Sequence, residues 1–214
     1  NHTSTEGYKE KGFLKEAFVN MLVFLGWNPG NTKEIYSLEE LVDDFSLERV
    51  GKSGSRYNFE KTKWFNQQHL RNKSNNELAK MMKEISSRDV SIEYFEKVAE
   101  LMKERAVLTE ELLSDNYFFE SPTEFDEKTF RKKWKERSGN LMSELFSLLE
   151  KDNVFSTESI EKIFKDFIAD KEVGMGAVLP CLRLILTGKG MGPSVFAIAS
   201  LLGKKEVMER FNSK

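Results

Sequence analysis

The sequence predicts an all-α protein, on three observations. Prolines are scarce, four in 214 residues. Apolar residues recur at three- and four-residue intervals, the period of a helix with one buried stripe. No segment sustains the apolar–polar alternation of a half-buried strand, so no strand has a good candidate. The expected helices are short and closely linked, which predicts small bundles in series, divided as 1–72, 73–127 and 128–214.

The first helix places Phe13, Ala17, Phe18, Met21, Leu22 and Leu25 on its inward face and stops at Gly26, after which Pro29-Gly30 turns the chain. Ser37 with Glu40 forms a capping box for a short helix through Phe45. A glycine–serine loop over Gly51 to Ser55 precedes a helix from Asn58 to Leu70 carrying Phe59, Trp64 and Phe65. A second box, Ser74 with Glu77, opens a helix with Leu78, Met81, Met82 and Ile85 inward. Ser91 caps the next, whose stripe is Ile92, Phe95, Val98 or Ala99, and Met102, with Lys103 and Arg105 at the end where cations complement the helix dipole.

A short helix at Thr109 to Leu113 and a loop at Ser121-Pro122 lead to helices over Glu124 to Arg137 and Gly139 to Leu149. The last third reads as helices over Thr157 to Ala169, Gly176 to Leu186 and Pro193 to Leu202, with a final turn or two to Phe211. Pro193 fits a first helical turn, where its missing N–H costs nothing.

Composition narrows the function classes. Thirty-three basic and thirty-five acidic residues give a net charge of −2, so the whole chain is not the strongly basic body of a non-specific nucleic-acid binder. Charge is nevertheless segregated. Basic residues dominate Lys61 to Arg88, and Lys128, Arg131, Lys132, Lys133, Lys135 and Arg137 oppose only Glu136, while Ser91 to Glu127 is acidic. That distribution fits either a polyanion held along selected stripes or solvated helix faces. No apolar run reaches the roughly 18 to 20 residues of a membrane span. The start shows no secretory signal and no initiator Met, so a cytoplasmic piece of a longer chain is expected.

Catalytic constellations are missing. Cys181 has no partner for a disulfide and sits in an apolar run, as an inert buried thiol does; with His2 and His69 it makes no zinc site. His69 has no nucleophile or carboxylate at motif spacing and reads as structural or solvent-facing. Gly188-Lys189-Gly190-Met191-Gly192 follows no strand and matches no phosphate-loop spacing, so it reads as a helix–helix turn whose backbone is free to approach another chain. Trp64 and Trp134, each among cations, read as core anchors or stacking platforms. Arg183 interrupts the apolar run from Val178 to Leu186 and needs an acceptor, either a carboxylate or helix end of its own chain or an anionic or base-edge ligand. A helical protein-interaction or scaffold module is the alternative from another class.

Residues along nearly the whole chain resemble one family. Gly12 to Trp27 (GFLKEAFVNMLVFLGW), Ser37 to Leu41 (SLEEL), Phe45 to Val50 (FSLERV), Lys52-Ser53 and Phe59 to Asn66 (FEKTKWFN) are similar to the region after the ATP-binding signature loop of bacterial glutamyl-tRNA synthetases. Leu182-Arg183, Leu186-Thr187-Gly188, Gly192-Pro193, Phe196 and Leu201-Leu202-Gly203 resemble the end of that family's anticodon-binding domain. The sequence departs from the pattern at Lys15, at Pro180 and at Gly174.

The resemblance implies a stem-contact helical domain over 1–72 and a two-part helical anticodon-binding cage over 73–127 and 128–214. It implies the tRNA for glutamate as partner, with neither DNA nor membrane. It also implies an N-terminal catalytic domain before Asn1 that uses ATP and magnesium, leaving this segment without cofactor, metal or catalytic residue of its own. Lys61, Lys63 and Trp64 match positions that touch the tRNA stem. Arg105 matches the reader of the third anticodon base, and Arg183, Gly192, Pro193 and Val195 match anticodon-loop contacts.

Overall fold

A computed structural model describes residues 5–52, 54 and 56–213 of the chain. Every regular element among them is helical, and the one pairing of extended backbone is an isolated antiparallel bridge between Trp27 and Val50. None of the helices is long and apolar enough to cross a membrane. Ser53 and Ser55 of the expected glycine–serine loop lie outside the described residues, as do Asn1 to Ser4.

The chain divides into two compact units between Ser114 and Asp115. The division expected after 72 falls inside the first unit, and the one expected after 127 falls within the first turn of a helix of the second.

The first unit holds α1 (Thr5–Glu10), α2 (Lys15–Val23), α3 (Leu38–Asp44), α4 (Phe59–Asn72), α5 (Asn75–Ile85) and α6 (Ile92–Met102), with 3-10 turns at Leu47–Arg49 and Thr109–Leu113. Both capping boxes form: the Ser37 and Ser74 hydroxyls accept from the Glu40 and Glu77 amides, and both glutamates bond back to the cap backbone. Asn58 and Ser91 cap α4 and α6. Helix α5 packs closely on α6 and α2 on α4. Leu78, Ala79 and Met82 face Phe95, Val98 and Ala99 in a fully buried seam.

Two residues expected inward are not. Leu22 and Ile85 are exposed, because each sits at the edge of its helix's apolar stripe; Asn20 and Ala79 occupy the buried positions instead. Helix α1 lies in a stretch to which the sequence reading assigns no element. Asn66 ties the unit together from within, its Oδ1 accepting from the Leu14 amide at 2.7 Å and its Nδ2 donating to the Val107 carbonyl at 2.6 Å. At Gly12, φ is +78° and an added Cβ would meet the Thr109 amide at 3.3 Å, so this turn takes glycine.

The second unit holds a 3-10 turn at Asn116–Phe118, α7 (Glu127–Lys133), α8 (Ser138–Glu150), α9 (Thr157–Asp170), α10 (Met175–Thr187) and α11 (Val195–Asn212). Its core is one cluster built from Leu145, Phe146, Phe164, Val178, Leu182, Leu186 and their neighbours. Helix α7 is shorter than expected: Asp126 caps it and the backbone turns extended at Trp134. Pro193 precedes the cap residue Ser194, so it lies before the helix rather than in its first turn. Helix α11 runs on through Asn212 but breaks at Gly203, where φ is 79° and ψ 159°.

Candidate nucleic-acid interface

In the first unit, α4 carries the sequence-singled cations and aromatics. Lys61 and Trp64, three residues apart, share a face: Lys61 Nζ lies 5.9 Å from the Trp64 ring centroid. Lys63 stands about 200° around the helix from Lys61, with its Nζ 5.0 Å from the Phe59 ring centroid. The structure thus joins Lys61 to Trp64 and sets Lys63 apart. Each lysine touches one carboxylate, Lys61 that of Glu34 and Lys63 that of Glu60. Such exposed pairs contribute about 0–1 kcal/mol, too little to hold a lysine against a phosphate. Trp64 is 37% exposed and meets Phe65 in a T-shaped contact at 5.1 Å, a partly exposed aromatic beside a cation.

Arg105 lies just past the C-terminus of α6, in a turn closed by its amide on the Met102 carbonyl at 2.8 Å. Its side chain is exposed, and among the described residues it bonds to no carboxylate. The turn is fixed from α4. Arg71 Nη2 donates to the Glu104 carbonyl at 2.7 Å and Nε approaches the Glu104 carboxylate at 3.1 Å. A guanidinium on a braced turn offers directional N–H donors without a partner to displace.

Behind α4, His69 is buried rather than solvent-facing. Burial pushes its pKa below the ordinary 6.5, against the pull of Glu16, so the ring is a neutral structural group. Burial pushes the Glu16 carboxyl up, but the Lys73 ammonium 2.6 Å away bonds to it and holds it below the usual carboxylate range.

The remaining matched residues lie in the second unit. Arg183 is half-buried on α10. An added Cβ on Gly192 would meet Arg183 Nη1 at 3.1 Å and the Tyr117 hydroxyl at 3.3 Å, so these three groups are immediate neighbours. Pro193 is buried, and Val195 is in the hydrophobic core. Val195 therefore presents only backbone to a ligand. Met191 stands out from the same loop at 82% exposure.

Gly188 and Gly190 of the glycine loop do not lie open for another chain. Gly188, at φ +68°, is pressed against the Glu124 carbonyl, which an added Cβ would meet at 2.3 Å, and at Gly190 a Cβ would meet Thr129 Oγ1 at 2.2 Å. The Asp126 amide donates to the Gly188 carbonyl at 2.8 Å. The expected freedom of this backbone is spent on its own segment.

Trp134 packs partly buried on the core and stacks on Phe130 at 5.5 Å, the core-anchor role. Cys181 is buried, and desolvation raises its thiol pKa, as an inert cysteine requires. The exposed side of α7 and its flank carries Lys128, Arg131, Lys132, Lys135 and Arg137.

The deeply buried arginine is Arg210, 1% exposed, which sequence reasoning did not single out. It donates to Glu206 Oε1 at 2.7 Å, to the Glu120 carbonyl at 3.1 Å and to the Leu186 carbonyl at the end of α10. Burial raises the Glu206 carboxyl, but hydrogen bonds from Arg210 and Ser121 hold it below its ordinary range.

Residues 77–213 match the family described as the anticodon binding domain. The chain is 45% identical to the glutamate–tRNA ligase of Flavobacterium psychrophilum over 98% of its length, and 41% identical to that of Phocaeicola vulgatus over 96%. The chain spans 42% of the length of both relatives. The crystal structure of a glutamate tRNA ligase from Elizabethkingia meningosepticum superposes with a TM-score of 0.91 at 39% identity, covering 97% of this chain and 42% of that one.

Proposed function

Because the chain belongs to the anticodon-binding domain family, we propose that it is the tRNA-binding, anticodon-recognising C-terminal portion of a glutamate–tRNA ligase. The observation that carries this reading is a likeness to such ligases sustained along nearly the whole chain. Lys61 and Lys63 neutralise stem phosphates, which sets register without reading sequence. Trp64, partly exposed beside Lys61, adds an aromatic surface to that contact. Arg105 reads the third anticodon base, and Arg183, with the backbone of Gly192, Pro193 and Val195, holds the splayed bases, whose edges are accessible once unstacked.

The partner is the tRNA for glutamate, and the whole ligase, cytoplasmic, couples glutamate to it with ATP and magnesium through an N-terminal catalytic domain. The residues described here do not fit those groups. Own-chain atoms fill the space a phosphate would need beside Gly188 and Gly190. No three His, Cys, Asp or Glu side chains among the described residues converge to hold a metal. We assign to this segment the binding of tRNA and not the aminoacylation step.

The test is binding of this chain to transcripts of the tRNA for glutamate, with and without a changed third anticodon base, at two salt concentrations. Salt-sensitive binding that prefers the unchanged tRNA is expected. Equal binding of both tRNAs, or none of either, would overturn the reading.

A further inference from the structure

In the second unit, α7 and the turn into α8 carry five exposed cations, Lys128, Arg131, Lys132, Lys135 and Arg137. Helical spacing sets Lys128, Arg131 and Lys132 within about 100° of arc. Lys135 Nζ folds back to the Arg131 carbonyl at 3.3 Å, over the end of the same helix. The stripe has a fixed base. Asp126 Oδ1 accepts from the Thr129 amide at 2.7 Å at the start of α7, Trp134 packs on the core just past its end, and the Ser138 hydroxyl accepts from the Lys135 amide at 2.8 Å.

Exposed lysines on α9 of the same unit are matched by acids one turn away, Lys162 by Asp166 at 2.9 Å and Lys165 by Glu161 at 2.7 Å. On α7, Arg131 has such a partner in Glu127 at 2.8 Å. Among the described residues Lys128, Lys132, Lys135 and Arg137 pair with no carboxylate. Helix stabilisation does not account for them either. A helix start favours acids, yet Lys128 is the second residue of α7, and Arg137 is the cap residue of α8, where its side chain makes no capping bond. Lys128 and Lys132, one turn apart, repel each other. Such charges weaken the fold slightly and become favourable once an anion from outside lies against them.

We propose that this face is a phosphate-binding stripe: Lys128, Arg131, Lys132, Lys135 and Arg137 lie along the sugar–phosphate backbone of the tRNA and hold it by charge, without reading a base. The inference rests on the tRNA-binding role proposed above and adds to it a contact that uses none of the anticodon-reading residues. An RNA backbone suits the stripe because its phosphates repeat, as the cations do along α7 and its flank. Exposed cations on flexible stems neutralise such charges but lack the fixed direction that base readout needs. The Arg131–Glu127 pair is no obstacle, because an ion pair with side chains 80% and 81% exposed is weak.

The experiment compares the chain with two double variants of equal charge change, Lys128→Gln with Lys132→Gln on α7 and Lys162→Gln with Lys165→Gln on α9. Each is titrated with the tRNA for glutamate and with a transcript changed at the third anticodon base, at several salt concentrations. All four lysines but Lys162 lie on exposed surface and Lys162 pairs only at the surface, so thermal midpoints stay close to that of the parent chain. The α7 pair is expected to weaken both tRNAs by the same factor, to keep the anticodon preference, and to reduce the salt slope by about two, one per lysine. The α9 pair leaves the slope near that of the parent chain, because charges beyond a Debye length are screened. An unchanged slope in the α7 pair, or an equal shift in both pairs, overturns the stripe and leaves the anticodon reading standing. A loss confined to the unchanged tRNA overturns it too, since backbone contacts carry no sequence information. If the parent chain binds phosphatidylserine vesicles, and the α7 pair loses that binding while its tRNA slope is unchanged, the face belongs to a membrane and not to RNA. If the parent chain binds neither tRNA, the stripe and the reading it rests on fall together.

Discussion

His69 Nε2 lies 3.0 Å from Asn20 Oδ1, and the same oxygen accepts from the Tyr36 amide at 2.9 Å. The pair joins α4 to α2 and to the segment leading into α3. Because Asn20 Oδ1 can only accept, His69 carries its proton on Nε2 as a neutral ring. The unfolded chain protonates this histidine near 6.5, whereas the folded chain does so only at lower pH. Unfolded protein therefore binds more protons between those two values, and stability falls as pH drops through that window. Urea midpoints at pH 7.5 and 5.5 should show the loss, and His69→Gln should remove most of it. An unchanged pH dependence in the variant would assign the loss to other groups.

Arg210→Met should destabilise the chain by about 3 kcal/mol, since it strands the Glu120 and Leu186 carbonyls and leaves Glu206 without its main partner. Arg210→Lys should recover only part of this, because an ammonium lacks the guanidinium's fork. Denaturant unfolding measures both. Two variants of equal stability would mean that the guanidinium's geometry, and not its charge, is what the site uses.

Gly188→Ala and Gly176→Ala should move stability in opposite directions. At Gly188 an added Cβ meets a carbonyl oxygen and the φ is left-handed, so a loss of about 2 kcal/mol or more is expected. At Gly176, in the first turn of α10, nothing lies within 4 Å of an added Cβ. There alanine should stabilise by up to about 1 kcal/mol through its better helix propensity. Thermal midpoints of the two variants decide it.

Lys61→Ala should weaken binding of every tRNA alike and reduce the salt slope by about one. Arg105→Ala should instead cost about 1–3 kcal/mol of discrimination at the third anticodon base and leave the slope nearly unchanged. Titrations at several salt concentrations separate the two. A base-selective loss at Lys61, or a uniform one at Arg105, would reverse their assignments.

Local signals were readable in the sequence and distant ones were not. The Ser37–Glu40 and Ser74–Glu77 boxes form as expected because each closes within four residues, where spacing alone decides the geometry. Asn66 reaches Leu14 and Val107, 52 and 41 residues away, and nothing near it announces that. Glu206 and Arg210 illustrate the same limit. Nothing within four residues of Arg210 marks it for burial, yet the fold buries it, while Arg183, flagged for its apolar run, is only half-buried. At the candidate interface, the resemblance named Lys61, Lys63 and Trp64 together without showing that Lys63 stands apart, and the nearness of Gly192 to Tyr117 and Arg183 depends on the packing of the second unit. Helical periodicity gave the direction of each buried face and not its width, which is why Leu22 and Ile85 turned out exposed.

Arg210 and the Glu120 carbonyl it holds are 90 residues apart. A contact of that span has a large loop-closure cost and is among the late ones to form, after α8 and α9 have paired locally. On the ribosome, the second unit cannot reach its finished state when α10 emerges. It waits for the turns beyond Gly203, because a nascent chain stalled before Arg210 lacks the donor that the Leu186 and Glu120 carbonyls take in the finished unit.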